Sequence, residues 1–97
     1  MAGKPISLDQ AKTMIKRYHN DRQIGTIKGG KFSKDEVLSI LNLEKCTALR
    51  FYFARNDSAE NTIVLVGEDA TGTLLTDDVM LDAAPPCPPY CPTNPID

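Results

Sequence analysis

The sequence predicts an α+β fold in which two N-terminal helices pack on a three-stranded antiparallel β-meander, followed by an extended Pro/Cys-rich C-terminal tail. Apolar residues recur at helical spacing as far as Leu41, and from Cys46 they recur with a period of two. The segment "APPCPPYCPTNP" holds six prolines, which cannot enter the interior of a sheet. We therefore assign residues 1–83 to one small domain and residues 84–97 to the tail.

The first helix is predicted from "ISLDQAKTMIKRYHNDRQ". Ser7 and Gln10 have the spacing of a capping box, in which each side chain accepts a hydrogen bond from the backbone of the other residue. Asp9 lies in the first turn, where the helix dipole favours an acid. The apolar residues that share one face are Leu8, Ala11, Ile15 and Tyr18. This pattern is typical of an amphipathic helix.

The second helix is predicted from "FSKDEVLSILN". Ser33 and Glu36 form a second capping box, and Phe32 precedes the cap where it can contact Val37. The apolar face of this short helix consists of Val37, Leu38 and Leu41.

The connection between the helices, "QIGTIKGGKF", predicts a brief strand near Ile24–Lys28 that ends at the following glycines. Gly25, Gly30 and Lys31 fit the spelling G-x-x-x-x-G-K of a phosphate-binding loop. That loop requires a strand before it, and a Ser or Thr after the Lys, where this chain has Phe32. We interpret the segment as a flexible connection.

The first strand of the meander is predicted from "CTALRFYFARN", where side chains alternate between two faces. Leu49, Phe51 and Phe53 share one face, and Arg50 and Tyr52 share the other. If the helices cover the phenylalanines, Arg50 and Tyr52 point outward and become candidates for binding a partner. The alternative is that they shield an ordinary solvent-facing strand.

Two further strands complete the predicted meander. "NDSAEN" reads as a turn, "TIVLVGED" as the second strand, and "TLLT" as the third strand after a turn in which Gly72 suits a positive φ. An antiparallel sheet with one apolar face needs a covering layer, which the two helices would supply.

Composition restricts the function classes. With 97 residues, 41% hydrophobic and 25% charged, the chain is typical of a small globular protein with no room for a large catalytic cleft. The net charge of −2 argues against a nucleic-acid partner. Neither an apolar leader nor a membrane-spanning run is present, which predicts a cytoplasmic protein with reduced thiols. The single imidazole, His19, has no recognisable catalytic constellation around it, so we do not predict an enzyme.

The cysteines offer a thiol-based alternative. Cys87 and Cys91 are close enough in "CPPYC" to share one metal ion or to form a disulfide. Together with Cys46 and His19 they would supply the ligands of a tetrahedral zinc site, although only one closely spaced pair is present. Cys46 alone is equally well explained as a buried apolar residue at the start of a strand.

The tail offers a second kind of binding element. Prolines such as Pro88 and Pro89 hold the backbone extended, and the spacing P-x-x-P together with Tyr90 suits docking into an aromatic groove of a partner. The alternative is that the tail folds back and covers an edge of its own domain.

The segments "EKCTALRFYFA", "TIVLVGEDATGTLL" and "CPPYCP" resemble a group of small bacterial proteins of Bacteroidetes type with a C-terminal CPxxCP tail. The group has no known activity, so the resemblance implies an architecture and a tail but no mechanism. We expect a non-enzymatic interaction module that uses the outer sheet face and the tail to bind another protein or a second copy of itself. The alternative is a zinc-binding or redox site in the tail.

Overall fold

Two helices and two small antiparallel sheets make up the protein in the computed structural model, which describes residues 3–20, 27, 29–83, 86–87 and 90–93. The α+β class is therefore confirmed. In chain order the elements are α1 (Leu8–His19), β1 (Gly29–Gly30), α2 (Lys34–Leu41), β2 (Ala48–Arg55), β3 (Asn61–Glu68), β4 (Leu81–Asp82) and β5 (Pro86–Cys87).

Both helices begin at the capping boxes that the sequence predicts. The Ser7 side chain accepts a hydrogen bond from the Gln10 amide at 3.1 Å, and the Gln10 side chain accepts one from the Ser7 amide at 2.8 Å. Ser33 and Glu36 make the same pair of bonds at the start of α2. These bonds satisfy amides that have no partner within the helix.

The main sheet has the strand order β2-β3-β4. β2 and β3 pair antiparallel along all their residues, from Ala48 opposite Glu68 to Arg55 opposite Asn61. β4 pairs with the middle of β3, with Leu81 opposite Leu65. The three-stranded antiparallel sheet is thus confirmed.

The predicted position of the third strand is wrong. "TLLT" contributes a single bridge, Leu74 opposite Glu68, and the third strand proper is β4. The chain leaves the sheet in a turn after Leu75, whose carbonyl accepts a hydrogen bond from the Asp78 amide at 3.3 Å. Pairing with β3 resumes only at Leu81.

A second, two-stranded sheet pairs β1 with β5, Gly29 opposite Cys87 and Gly30 opposite Pro86. The predicted strand Ile24–Lys28 lies, apart from Ile27, outside the described residues. β1 instead consists of the two glycines that the sequence suggested as a break. A two-residue edge pairing depends on backbone groups, so it tolerates glycine and proline. Part of the predicted tail therefore contacts the domain.

The packed core lies at one end of the β2–β3 hairpin. Among the described residues only Ile40 and Val66 have fully buried side chains, with exposures of 0% and 2%. A methyl group on Gly67 would lie 3.1 Å from Ile40 Cγ2, 3.2 Å from Leu75 Cδ1 and 3.3 Å from Cys46 Sγ. Helix α2 therefore packs closely against β3 at Gly67.

The expectation that two helices cover the phenylalanines is wrong. Gly67 is opposite Leu49, so α2 covers the face that Leu49 shares with Phe51 and Phe53, but only at that end. Phe51 is 56% exposed and Phe53 is 82% exposed. α1 has no buried residue. One short helix cannot cover the whole face of a strand of equal residue number, because a helix rises less per residue.

Candidate interaction site

One edge of β2 has no partner strand among the described residues, since β2 is the terminal strand of the main sheet. The hydrogen-bond pattern shows which backbone groups face that edge. The backbone amide of Asn56 donates to the backbone carbonyl of Glu60 at 3.0 Å, and these two residues continue the β2–β3 register beyond the ends of the strands. Hydrogen-bonded pairs alternate along an antiparallel ladder, so even-numbered residues of β2 direct their amides and carbonyls toward β3. The residues whose backbone groups point to the free edge are Leu49, Phe51, Phe53 and Arg55.

The other side of β3 gives the same assignment. The Ala83 amide donates to the Ile63 carbonyl at 2.9 Å, and the Leu75 amide donates to the Gly67 carbonyl at 2.9 Å. Odd-numbered residues of β3 thus bond away from β2, which leaves its even-numbered residues to bond with β2.

The side chains beside this edge are apolar and exposed. The Phe51 and Phe53 rings pack edge to face, with centroids 5.5 Å apart and an interplanar angle of 79°. Leu49 lies on the same face. We call Leu49, Phe51 and Phe53 the aromatic stripe. Large apolar side chains gathered on an exposed surface are typical of an interaction site.

Arg50 and Tyr52, the binding candidates from the sequence, lie on the opposite face of β2. The Arg50 side chain is 52% exposed, and its Nε donates to Glu68 Oε1 at 2.5 Å. The hydrogen bond and negative charge of Glu68 raise the pKa of Arg50 above its ordinary value, because both favour the charged guanidinium. Tyr52 is exposed. Arg50 therefore already has an acidic partner within the chain.

The turn between β2 and β3 is held by Asn56. Its side-chain oxygen accepts hydrogen bonds from the amides of Ser58 at 2.9 Å and Glu60 at 3.0 Å, and its Nδ2 donates to the Glu60 carboxylate at 3.1 Å. Ala59 has a φ of 60°, in the left-handed region that a non-glycine residue seldom adopts. These bonds fix the hairpin end nearest Phe53.

The turn after β3 is held by a carboxylate. Asp69 accepts hydrogen bonds from the amides of Thr71 and Thr73, both at 2.9 Å, and from the Thr71 hydroxyl at 2.7 Å. The Thr71 hydroxyl and these amides lower the pKa of Asp69, because they stabilise the ionised carboxylate. Gly72 has a φ of 86°, which glycine adopts without strain.

A cleft of about 540 Å³ adjoins the aromatic stripe at Phe53. Its apolar lining residues include Tyr18, Phe32 and Ile63, and its polar lining residues include Glu60. None of the described lining residues is Lys, Arg or His. The apolar surface thus continues from β2 toward the end of α1.

The tail cysteines are joined to each other by a disulfide, Cys87–Cys91, with their Cα atoms 4.7 Å apart. The disulfide differs from the expectation of reduced thiols, and it is one of the two states that the spacing of this pair left open. The Tyr90 amide between them donates to the Pro86 carbonyl at 3.1 Å, and the Tyr90 side chain is 65% exposed. Pro88 and Pro89 lie outside the described residues.

The other proposed zinc ligands are not gathered with that pair. Cys46 has a free thiol, which donates to the Ala48 carbonyl at 3.3 Å and contacts the Gly67 region. His19 ends α1, with its ring 6.0 Å from that of Tyr18. Over the described ranges, no three His, Cys, Asp or Glu residues are placed to share a metal ion.

The aromatic stripe is the feature that the sequence interpretation missed as a site. One signal was available. α2 was predicted to be short, and a short helix cannot cover a strand that carries large side chains along its whole length.

Comparison of the chain with protein-family models, with curated proteins and with solved structures finds no match. The resemblance to bacterial proteins with a CPxxCP tail stays a prediction. Neither of the two described helices has the length and apolar character needed to cross a bilayer.

Proposed function

We propose that this protein is a non-enzymatic interaction module that binds another polypeptide along the free edge of β2. The observation that supports this most is Phe53, 82% exposed in a ring pair on an unpaired strand edge. A long apolar edge strand is a template for pairing with another chain, and proteins normally protect such edges with proline, lysine or bulges. β2 contains no proline or lysine and pairs with β3 without a bulge, and its charged side chains are Arg50 and Arg55.

The recognition chemistry would be β-strand addition. A partner strand would accept and donate backbone hydrogen bonds at Leu49, Phe51, Phe53 and Arg55, and the aromatic stripe would bind its apolar side chains. Arg50 and Tyr52 would contact the same partner from the opposite face of the sheet. Tyr90, with Pro88 and Pro89, would supply the additional contact predicted for the tail.

Site-specific photo-crosslinking tests this function. The full chain is produced in its native host with p-benzoylphenylalanine in place of Phe53, and in a matched variant in place of Met14, an exposed apolar residue on α1. We expect discrete crosslinked products from position 53 that are absent from position 14 and that disappear when Phe51→Lys is added. Equal products from both positions, or none from position 53, would contradict the proposal.

The disulfide favours a second candidate function, a thiol–disulfide site in the tail. A dithiol reductant would break the Cys87–Cys91 bond by exchange, giving two thiols while the reductant becomes the disulfide. The free thiol count should then rise from one, Cys46, to three. The reduced pair would also be available as zinc ligands.

Thiol counting by intact mass, with and without reductant and chelator, tests the second function. We expect the purified protein to lack two hydrogens relative to the fully reduced chain. The double variant Cys87→Ser/Cys91→Ser should show no redox response, and Cys46→Ser should keep it. Three free thiols in protein purified without reductant would exclude a resident disulfide. If those thiols also bind no Zn²⁺, the second function fails.

A further inference from the structure

The free edge of β2 is complementary to itself. Two copies related by a two-fold axis perpendicular to the sheet would bring two β2 strands together in antiparallel orientation, and the same face of each sheet would lie on the same side. Hydrogen bonds can form only where outward-facing backbone groups meet. Because these belong to the odd-numbered residues of β2, odd-numbered residues must lie opposite one another.

One such register is centred on Tyr52. When Tyr52 lies opposite its own copy, Phe51 lies opposite Phe53 of the partner subunit, and this pair occurs twice by symmetry. The two aromatic stripes then form one continuous row of four phenylalanine rings. Aromatic pairs directly opposite each other stabilise antiparallel strands.

Charge does not oppose this register. Arg55 lies opposite Leu49 of the partner subunit, and Arg50 lies opposite Ala54 of the partner subunit. Arg50 is also neutralised by Glu68 of its own chain. No pair of like charges is therefore directly opposed, which is the arrangement that would destabilise a strand pair.

We infer that a second copy of this chain is the partner of the β2 edge, forming a two-fold dimer with a continuous six-stranded antiparallel sheet in the register centred on Tyr52. The inference rests on the proposed function and names its partner. A two-fold contact uses the same edge in both copies and therefore closes at the dimer.

Sedimentation velocity on the full chain tests the stoichiometry. Between about 5 μM and about 500 μM we expect a reversible transition from monomer to dimer, as a small interface of moderate affinity requires. A chain that remains monomeric at about 500 μM, or one that forms open-ended multimers, would overturn the inference.

Charge substitutions at Leu49 test the register. Leu49→Glu places an acid opposite Arg55 of the partner subunit, whereas Leu49→Lys places a second base there, and both remove the same apolar contact. We expect the Glu variant to dimerise about tenfold more tightly than the Lys variant. Adding Arg55→Glu to Leu49→Lys should restore the tighter binding. The control pair Val79→Glu and Val79→Lys, in the loop before β4, should differ little.

Disulfide trapping at an exposed position gives a second readout that does not depend on Leu49. In the proposed register Tyr52 lies opposite its own copy in a non-hydrogen-bonded pair, where Cα atoms are about 4.5 Å apart and a disulfide fits. Tyr52→Cys should form an intermolecular disulfide under mild oxidation, mapped by peptide mass. Arg50→Cys, which would lie opposite Ala54, should not. Equal trapping at both positions would overturn the register.

The two proposals fail in different ways. A monomeric chain that still crosslinks from position 53 to another protein in its host loses only the dimer. A monomeric chain without such products loses the interaction function as well.

Discussion

The two ends of the β2–β3 hairpin differ sharply in packing. We call the end at Gly67, which α2 covers, the closed end, and the end at Phe53, next to the turn between the strands, the open end. At the closed end, Ile40 and Val66 are fully buried, and three side chains lie within 3.1–3.3 Å of the position that a methyl group on Gly67 would take. At the open end, Phe53 is 82% exposed although it belongs to the same two strands. In the proposed function, stability and recognition therefore occupy different ends of one hairpin.

Element length explains the difference. Helix α2 and strand β2 both contain eight residues. At about 1.5 Å per residue the helix is about 12 Å long, whereas at about 3.4 Å per residue the strand is about 27 Å long. A helix lying along the strand covers less than half of it. The remainder of the face must be covered by another element or by a partner.

The largest expected effect on stability comes from creating a cavity at the closed end. Ile40→Ala removes a fully buried side chain and should lower the free energy of unfolding by about 3 kcal/mol, the sum of lost transfer energy and the cavity left behind. Urea denaturation at low protein concentration measures the change. The neighbouring Leu41→Ala, at an exposed position, should cost about 1 kcal/mol or less. A similar loss from both variants would contradict the proposed division between the two ends.

Adding a methyl group at the same end should have a smaller effect on stability. Gly67→Ala places a methyl group within 3.1–3.3 Å of three side chains, so several neighbours must shift together. We expect the free energy of unfolding to fall by about 1–2 kcal/mol. Gly29→Ala is the matched control, because a methyl group there meets nothing within 4 Å. Unchanged stability in Gly67→Ala would mean that the closed end is loosely packed.

The turn beside the closed end should make stability depend on pH. The pKa of Asp69 is lowered in the folded chain from its ordinary value of 3.8, chiefly by the Thr71 hydroxyl. Its contribution is therefore complete above that value and is lost as the pH falls below 3.8 toward the lowered pKa.

Urea midpoints of wild type and Asp69→Asn at about pH 6 and about pH 2.5 measure this contribution. At the higher pH we expect wild type to be more stable than Asp69→Asn, and at the lower pH we expect this difference in stability to be smaller. Adding Thr71→Ala to both chains should also reduce the difference, whereas adding Thr76→Ala, which removes a hydroxyl outside the turn, should leave it unchanged. A difference in stability that grows as the pH falls would contradict this account of Asp69.

The local structure could be predicted from the sequence, but the extent to which the helices cover the sheet could not. The capping boxes at Ser7 and Ser33 and the β2–β3 pairing follow from short-range patterns, because their determinants lie within a few residues of each other. The displaced third strand was not predictable, since "TLLT" and Leu81–Asp82 both lie along the same edge of β3 and no local pattern shows where the pairing is interrupted.

The candidate site follows the same rule. The alternation of β2 correctly placed Phe51 and Phe53 on one face, opposite Arg50 and Tyr52. The predicted shortness of α2 limits how much of a face it can cover, but where the helices meet the sheet is not encoded in any local pattern.

The smallest effect on stability should come from the open end, where the effect on association should be largest. Phe53→Ala loses a ring that is mostly exposed and one edge-to-face contact with Phe51, so the free energy of unfolding should fall by less than about 1 kcal/mol. Dimerisation, measured by sedimentation, should weaken at least about tenfold, because the substitution removes two rings from the shared row. Met14→Ala, at an exposed apolar position on α1, should leave dimerisation unchanged. If Phe53→Ala instead destabilised the monomer as much as Ile40→Ala does, the ring would be a core residue, and β2 would present no free apolar edge to a partner.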